Sequence, residues 1–236
     1  MQRSLREMVA AERKLAWPYP YGVVDAHLSR DELENMRVRF ERLRAIMPSG
    51  LEVNFPANAE LPSLDIKQAF AKGAGSFRVF LGVPLWFNAR ANTVRSGEDV
   101  DSRVKLLYRV GELECTDENT GINARPVQVR RINARLLLEN EDIADLEVIP
   151  LMRIVRGAAS KVGMPQEDPE FVPPCLLLSG SNVLRELISD LVANVQATRK
   201  ALIIQVTGGG FSIDTMRGRQ FEQVIKLRTL NRFSAR

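Results

Sequence analysis

The feature that most constrains this chain is a change of hydrophobic period near residue 180. Before it, short apolar runs alternate with polar or turn-forming pieces; after it, apolar residues recur every three or four positions. Period two sends successive side chains to opposite faces of a strand, whereas a period near 3.6 makes one stripe on a helix. VVDAHL, and MRVRF, in which Met36, Val38 and Phe40 alternate with Arg37 and Arg39, predict strands with one dry and one wet face. Pro48, Ser49 and Gly50, between ERLRAIM and LEVNF, predict a hairpin turn. FRVFLGVPLWF, RVKLLYRVGELEC, PVQVRRINARLLL and LEVIPLMRIV extend the series, spaced by ARANTVRSGEDVDS and DENTGINA. The absence of strand–helix alternation argues against a doubly wound sheet. The expectation is mainly β, an antiparallel β-sandwich or barrel-like domain followed by the start of an α-helical bundle.

Helical texture is confined to the two ends. Leu5, Met8, Val9, Glu12 and Leu15 make a short amphipathic helix, which Trp17, Pro18 and Pro20 stop. From Asn182, a broad stripe of Val183, Leu184, Leu187, Ile188, Leu191, Val192 and Val195 predicts a helix to about Gln205, with Ser181 or Asn182 as its cap. Leu184, Ile188, Leu191, Val195 and Leu202 also fit alternating four- and three-residue steps, a seam suited to a bundle or coiled coil. TGGG breaks the pattern and MRGRQFEQVIKLRTLNRF resumes it. The expected organisation is a helical arm over 1–16, a β-sandwich over 17–178 and a partial trimerisation bundle over 179–236. Helical texture running to Arg236 without a capping glycine points to a longer protein.

Chemistry is sparse. The single histidine, His27, has no CxxC, HxxxH or HExxH for company, so a zinc site or a histidine-based triad has little to build on. Cys115 and Cys175 lie far apart in apolar stretches, which fits reduced, buried thiols and a cytoplasmic setting rather than a disulfide framework. The acidic run ENEDIAD, with Glu139, Glu141, Asp142 and Asp145, lacks the order of a calcium loop and reads as a solvated turn. Gly208 to Gly210 lack a following Gly-Lys-Ser/Thr and read as a linker. No metal, cofactor or catalytic residue is expected, nor is direct membrane insertion, since no run of about 18 apolar residues occurs.

Two stretches bear on partners. In WPYPYGV, prolines hold Trp17, Tyr19 and Tyr21 extended, where they either pack on the sandwich or anchor a partner. In PVQVRRINARLLLE, Val127 and Val129 point one way and Gln128 and Arg130 the other, and the phase change at Arg131 predicts a bulge. Its arginines read as a wet sheet face that pairs with nearby acids or a neighbouring subunit. The alternative is a nucleic-acid-binding β module using the Arg-rich strand 125–135, with Arg125, Arg130, Arg131 and Arg135. The formal charge of +4 is small and dispersed, and the stretch has no aromatic to stack on bases, so a nucleic-acid partner is not expected.

PYPYGV at 18–23, PVQVRRINARLLL at 126–138, FVPPCL at 171–176 and LRTLN at 227–231 together resemble, in order, the TssK family of type VI secretion baseplate subunits. The resemblance runs across nearly all of the chain. It departs in lacking the family's opening Trp/Gly segment and its Pro-Gln-His-Phe-Gln-Gln-like stretch, and in being about half the usual length. The resemblance implies a shoulder-like sandwich similar to phage receptor-binding proteins and a homotrimer at the inner-membrane-associated baseplate. It also implies a non-enzymatic role. The N-terminal part would dock the TssF and TssG wedge, and a C-terminal domain beyond these residues would meet TssL and TssM. Trp17, Tyr19 and Tyr21 are the expected docking residues.

Overall fold

The computed structural model describes residue 12 and residues 20–71, 75–94, 105–157, 163–208 and 218–234. The expected helix over 3–15, apart from Glu12, lies outside the described residues, as do Trp17 and Tyr19. The chain divides into two compact units, Met1–Val183 and Leu184–Arg236.

The first unit is built from short strands, as its period-two runs require. One sheet pairs β1 (Gly22–Leu28), β3 (Phe40–Ile46) and β4 (Glu52–Phe55) antiparallel. A second, of four antiparallel strands, has the order β11 (Arg135–Leu138), β7 (Ser76–Pro84), β12 (Leu146–Arg156), β13 (Pro165–Glu167). A third combines β5 (Ala59–Glu60), β10 (Arg125–Asn133), β9 (Tyr108–Cys115) and β8 (Thr93–Val94). Its two outer strands pair parallel to their neighbours. β2 (Arg37–Val38) pairs with β6 (Leu64–Asp65). The period-two reading passes over two helices of one to two turns, α1 (Arg30–Glu34) and α2 (Lys67–Ala71), which bury Leu33 and Phe70. Each is too short to show a helical stripe in the sequence.

Alternation now has a physical meaning. Phe40, Leu43 and Ala45 of β3 and Phe77, Val79, Leu81 and Val83 of β7 are buried in one core with Ile149, Leu151 and Ile154 of β12. Arg42, Arg44 and Arg78, on the alternate positions, face water. Burying a Val, Leu, Ile or Phe side chain contributes about 1.5–3 kcal/mol, so this double layer of apolar faces dominates the folding energy. The turn at Pro48–Gly50 forms as expected, with Gly50 at φ 81° and the Met47 N–H donating to Leu51 at 2.8 Å. Ser49 donates through its backbone N–H (3.0 Å) and its hydroxyl (2.6 Å) to the Glu147 carboxylate, tying this turn to β12 of the other sheet.

The far end of β12 is held by a buried acid. Asp168 accepts the Glu170 N–H at 2.9 Å and the Arg153 Nε–H, while its own N–H donates to the Arg153 carbonyl at 2.8 Å. Burial alone would push this carboxyl up, but the Glu170 N–H and the Arg153 guanidinium outweigh it and hold the pKa below the ordinary value. The stability this pair supplies is therefore present above the unfolded carboxylate pKa of about 3.9 and is lost as pH falls through the lower folded value. Asp168→Asn is expected to cost about 1–3 kcal/mol at pH 7, reduced from a fully buried pair because Arg153 is partly exposed. The variant's stability should also fall less steeply on acidification. Urea unfolding at pH 7 and at about pH 3, below the unfolded carboxylate pKa, checks both; equal acid dependence in the two proteins would contradict the assignment.

Candidate functional site

The residue types that could carry chemistry make structural contacts. His27 Nε2 lies 2.7 Å from Arg42 Nη2 and 3.5 Å from Asp25 Oδ1, a surface cluster on the first sheet. Cys175 is half-buried, and burial pushes its thiol up, away from nucleophilic use. Cys115 corrects the expectation of buried thiols: it is exposed, because the end of β9 lies beyond the core. In the acidic run, Glu139 pairs with Arg78, and Glu141 accepts the Leu138 N–H at 3.0 Å. Asp142 binds Lys105 Nζ at 2.9 Å and Asp145 binds Arg90 Nη2 at 3.0 Å. The run is an exposed turn, as expected, fastened by these contacts. Lys105 and the Ala144 N–H together hold Asp142 below its usual pKa. Among the described residues no group of three or more His, Cys, Asp or Glu side chains is placed to hold a metal ion.

The arginine stretch divides between two sheets. Arg125–Asn133 pairs with β9 in unbroken register, from Arg125 opposite Cys115 to Ile132 opposite Tyr108, so the expected bulge at Arg131 is absent. The phase change has another cause. At Ala134, which is buried, the chain leaves this sheet, and Arg135–Leu138 joins β7. Arg131 donates to the carbonyls of Pro56 and Ala59, the latter at 2.9 Å. Arg130 stacks over Tyr108 with its guanidinium carbon 5.3 Å from the ring centroid. Arg125 and Arg131 share one face of the strand, Arg130 occupies the other, and Arg135 belongs to a different sheet. The four arginines form no single stripe for a phosphate backbone.

The aromatic segment is described only from Pro20 onward. Tyr21 is half-buried and packs on the core, while Gly22, at φ 143°, comes so close to Pro174 that a Cβ would lie 2.6 Å from its carbonyl oxygen. In the second unit, α3 (Asn182–Gly208) runs three residues past its expected end and α4 (Arg219–Ser234) follows. Arg199 Nε donates to Asn231 Oδ1 at 2.6 Å and Gln223 Nε2 to Gln205 Oε1 at 3.1 Å, so the two helices run antiparallel. Val195, Leu202 and Val206 lie at three- and four-residue steps from Arg199 and are half-buried, as are Val224, Leu227 and Leu230. The expected seam therefore divides. Val195 and Leu202 lie on the face towards α4 and Leu184 is half-buried, whereas Ile188 and Leu191 are exposed together with Leu187 and Val192. Sequence spacing could not separate these faces because an apolar stripe looks the same whether its partner is internal or external.

Arg131 should be the arginine of this stretch that the fold needs most. Arg131→Lys removes a planar fork that reaches two carbonyls and is expected to cost about 1–2 kcal/mol in urea unfolding. Arg125→Lys should change stability by less than about 0.5 kcal/mol. Equal effects of the two substitutions would contradict the division of roles.

The family described as bacterial type VI secretion proteins EvfL, ImpJ and VasE matches residues 1–236. None of the curated proteins compared with the chain matches it. Among solved structures, the chain is similar to a TssK-TssF-TssG baseplate subcomplex of the type VI secretion system (TM-score 0.72, 22% identity, covering 98% of this chain and 70% of that one). It is also similar to TssK from the EAEC system in complex with nanobody nb18 (0.64, 21%, 98% and 72%). A crystal structure of TssK matches as well (0.71, 20%, 99% and 50%). The chain thus spans about 70% of two of these proteins and half of the third, and at these identities the likeness establishes the fold.

Proposed function

Because the chain belongs to the type VI secretion family that includes EvfL, ImpJ and VasE, we propose that it is a non-enzymatic structural subunit of the secretion baseplate. The match over all 236 residues carries this reading, supported by the shared fold with TssK. In it, the chain contains the part that docks the TssF and TssG wedge and helps link it to the membrane-complex proteins TssL and TssM. The baseplate side of the inner membrane, in the cytoplasm, is its place of work; among the described residues no helix is long and apolar enough to cross a membrane. The proposed parts are an N-terminal arm over 1–16, which lies outside the described residues apart from Glu12, a sandwich over 17–178 and a partial bundle over 179–236. The sandwich is a rigid platform, and the part of the seam that α4 leaves exposed, Ile188 and Leu191, brings three copies together. Trimerisation multiplies weak docking contacts by raising effective concentration.

The wedge contact is assigned to Trp17, Tyr19 and Tyr21. Trp17→Ala with Tyr21→Ala should lower the amount of TssF–TssG that co-purifies with the chain roughly tenfold. Tyr21 packs on the core, so the double variant should also lose stability, and its unfolding midpoint must be compared with that of Trp17→Ala alone. Full capture by both variants would remove this assignment. For the seam, Leu191→Glu buries a charge if Leu191 lies between copies and touches only water if it does not. Light scattering should show a trimer mass for the natural chain and a monomer mass for this variant; an unchanged mass would exclude Leu191 from the seam.

A further inference from the structure

β9 and β10 continue as a two-stranded ribbon well past the strands that flank them. Among the described residues β5 pairs only with Ile132 and Asn133, and β8 only with Tyr108 and Arg109, so from Val110 to Cys115 and from Arg125 to Arg131 no described strand pairs outside the ribbon. Two-stranded ribbons are marginal in water unless something packs on them. The tip of this one is closed by hydrogen bonds. Asp117 accepts the N–H groups of Asn119 (2.8 Å) and Thr120 (3.1 Å), and its own N–H donates to Ile122 at 3.1 Å. The first two bonds hold its carboxyl below the usual carboxylate pKa.

The pairing register decides what each face presents. Arg125, Val127, Val129 and Arg131 share one face with their partners Cys115, Leu113, Gly111 and Arg109. Leu113, 51% exposed, lies directly opposite Val127, 43% exposed, and Ile122 at the tip is 62% exposed. The Arg131 side chain crosses Gly111, where a Cβ would come within 3.2 Å of its Cδ. The charged residues that β9 and β10 place on this face are arginines: Arg125 near the tip, and at the base Arg109, whose Nε lies 3.9 Å from Glu60 Oε2, and Arg131, held by the Pro56 and Ala59 carbonyls. The acids of the paired segment, Glu112 and Glu114, are on the opposite face. An apolar strip bounded by arginines is complementary to apolar side chains flanked by carboxylates, since guanidinium pairs with carboxylate in a bidentate fork and tolerates desolvation.

We propose that this face of the ribbon, Leu113, Val127 and Val129 between Arg125 and Arg109, is a docking surface for an acidic, apolar segment of a baseplate partner. This rests on the baseplate reading above and adds a site separate from the 17–21 segment. The probe is co-expressed TssF–TssG, captured on the chain at low and high salt, with an unfolding midpoint measured for each variant. Capture by the natural chain should weaken as salt rises. Arg125→Glu, which inverts one exposed charge, should reduce capture about tenfold, and Leu113→Ser with Val127→Ser by at least as much. Glu114→Arg, on the opposite face, should capture as the natural chain does. Natural-level capture by the first two variants would overturn the ribbon assignment and leave the baseplate reading standing, as would an equal loss with Glu114→Arg. Failure of the natural chain to capture TssF–TssG would sink both readings. Capture of nucleic acid in its place, lost in Arg125→Glu, would overturn the proposal in favour of a polyanion site.

Discussion

Ala134 is the point at which one continuous segment passes from one sheet to another, and the first unit is organised around that crossing. Residues before it hydrogen-bond to β9 and residues after it to β7, so one stretch of chain holds two sheets in fixed relation. The crossing is tightly accounted for. The Ile132 N–H donates to Asn58, that of Asn133 to Leu107 and that of Ala134 to Glu60, all at 2.8–3.1 Å. Buried amides without partners would each cost about 1–3 kcal/mol, and Ala134 brings only a methyl group into the packed interior. Arg131, with its two carbonyl partners, fastens the strand just before the crossing.

The polar residues of the sandwich follow the same logic. Glu147 receives the turn at Ser49, Asp168 receives Arg153, and Glu139, Asp142 and Asp145 each receive a cation from a neighbouring element. Such pairs contribute little individually when exposed, but each forbids a competing arrangement of a loop or strand end. Carboxylates used in this way are acceptors already engaged, which leaves them poorly suited to general acid–base work. These carboxylates are spent on the scaffold's own corners, while apolar side chains remain outside on a ribbon and on a helix.

Much of this was legible in the residues. The alternation in MRVRF and FRVFLGVP, the turn at Pro48–Gly50 and the helix from Asn182 follow from local rules of pleat, turn and helix period that need no knowledge of the rest of the chain. Two of the misreadings share one cause. Cys115 looked buried because its neighbours are apolar, and Arg131 looked bulged because the apolar phase shifts after it; in both places alternation continues, but what covers the strand has changed. The helices α1 and α2 went unseen because five residues cannot display a stripe.

By itself, then, the sequence determined the element types, their order and a mainly β sandwich followed by helices, since these depend on spacings of two and 3.6 residues. The tertiary structure decided which apolar faces are covered. It placed Val195 and Leu202 towards α4 while leaving Leu191 exposed, and it left Leu113 and Val127 uncovered on a ribbon. It also gave Arg131 a structural task and set Arg125 at the surface. Period tells a side chain which face it occupies, but only the arrangement of distant segments determines whether that face meets protein or water.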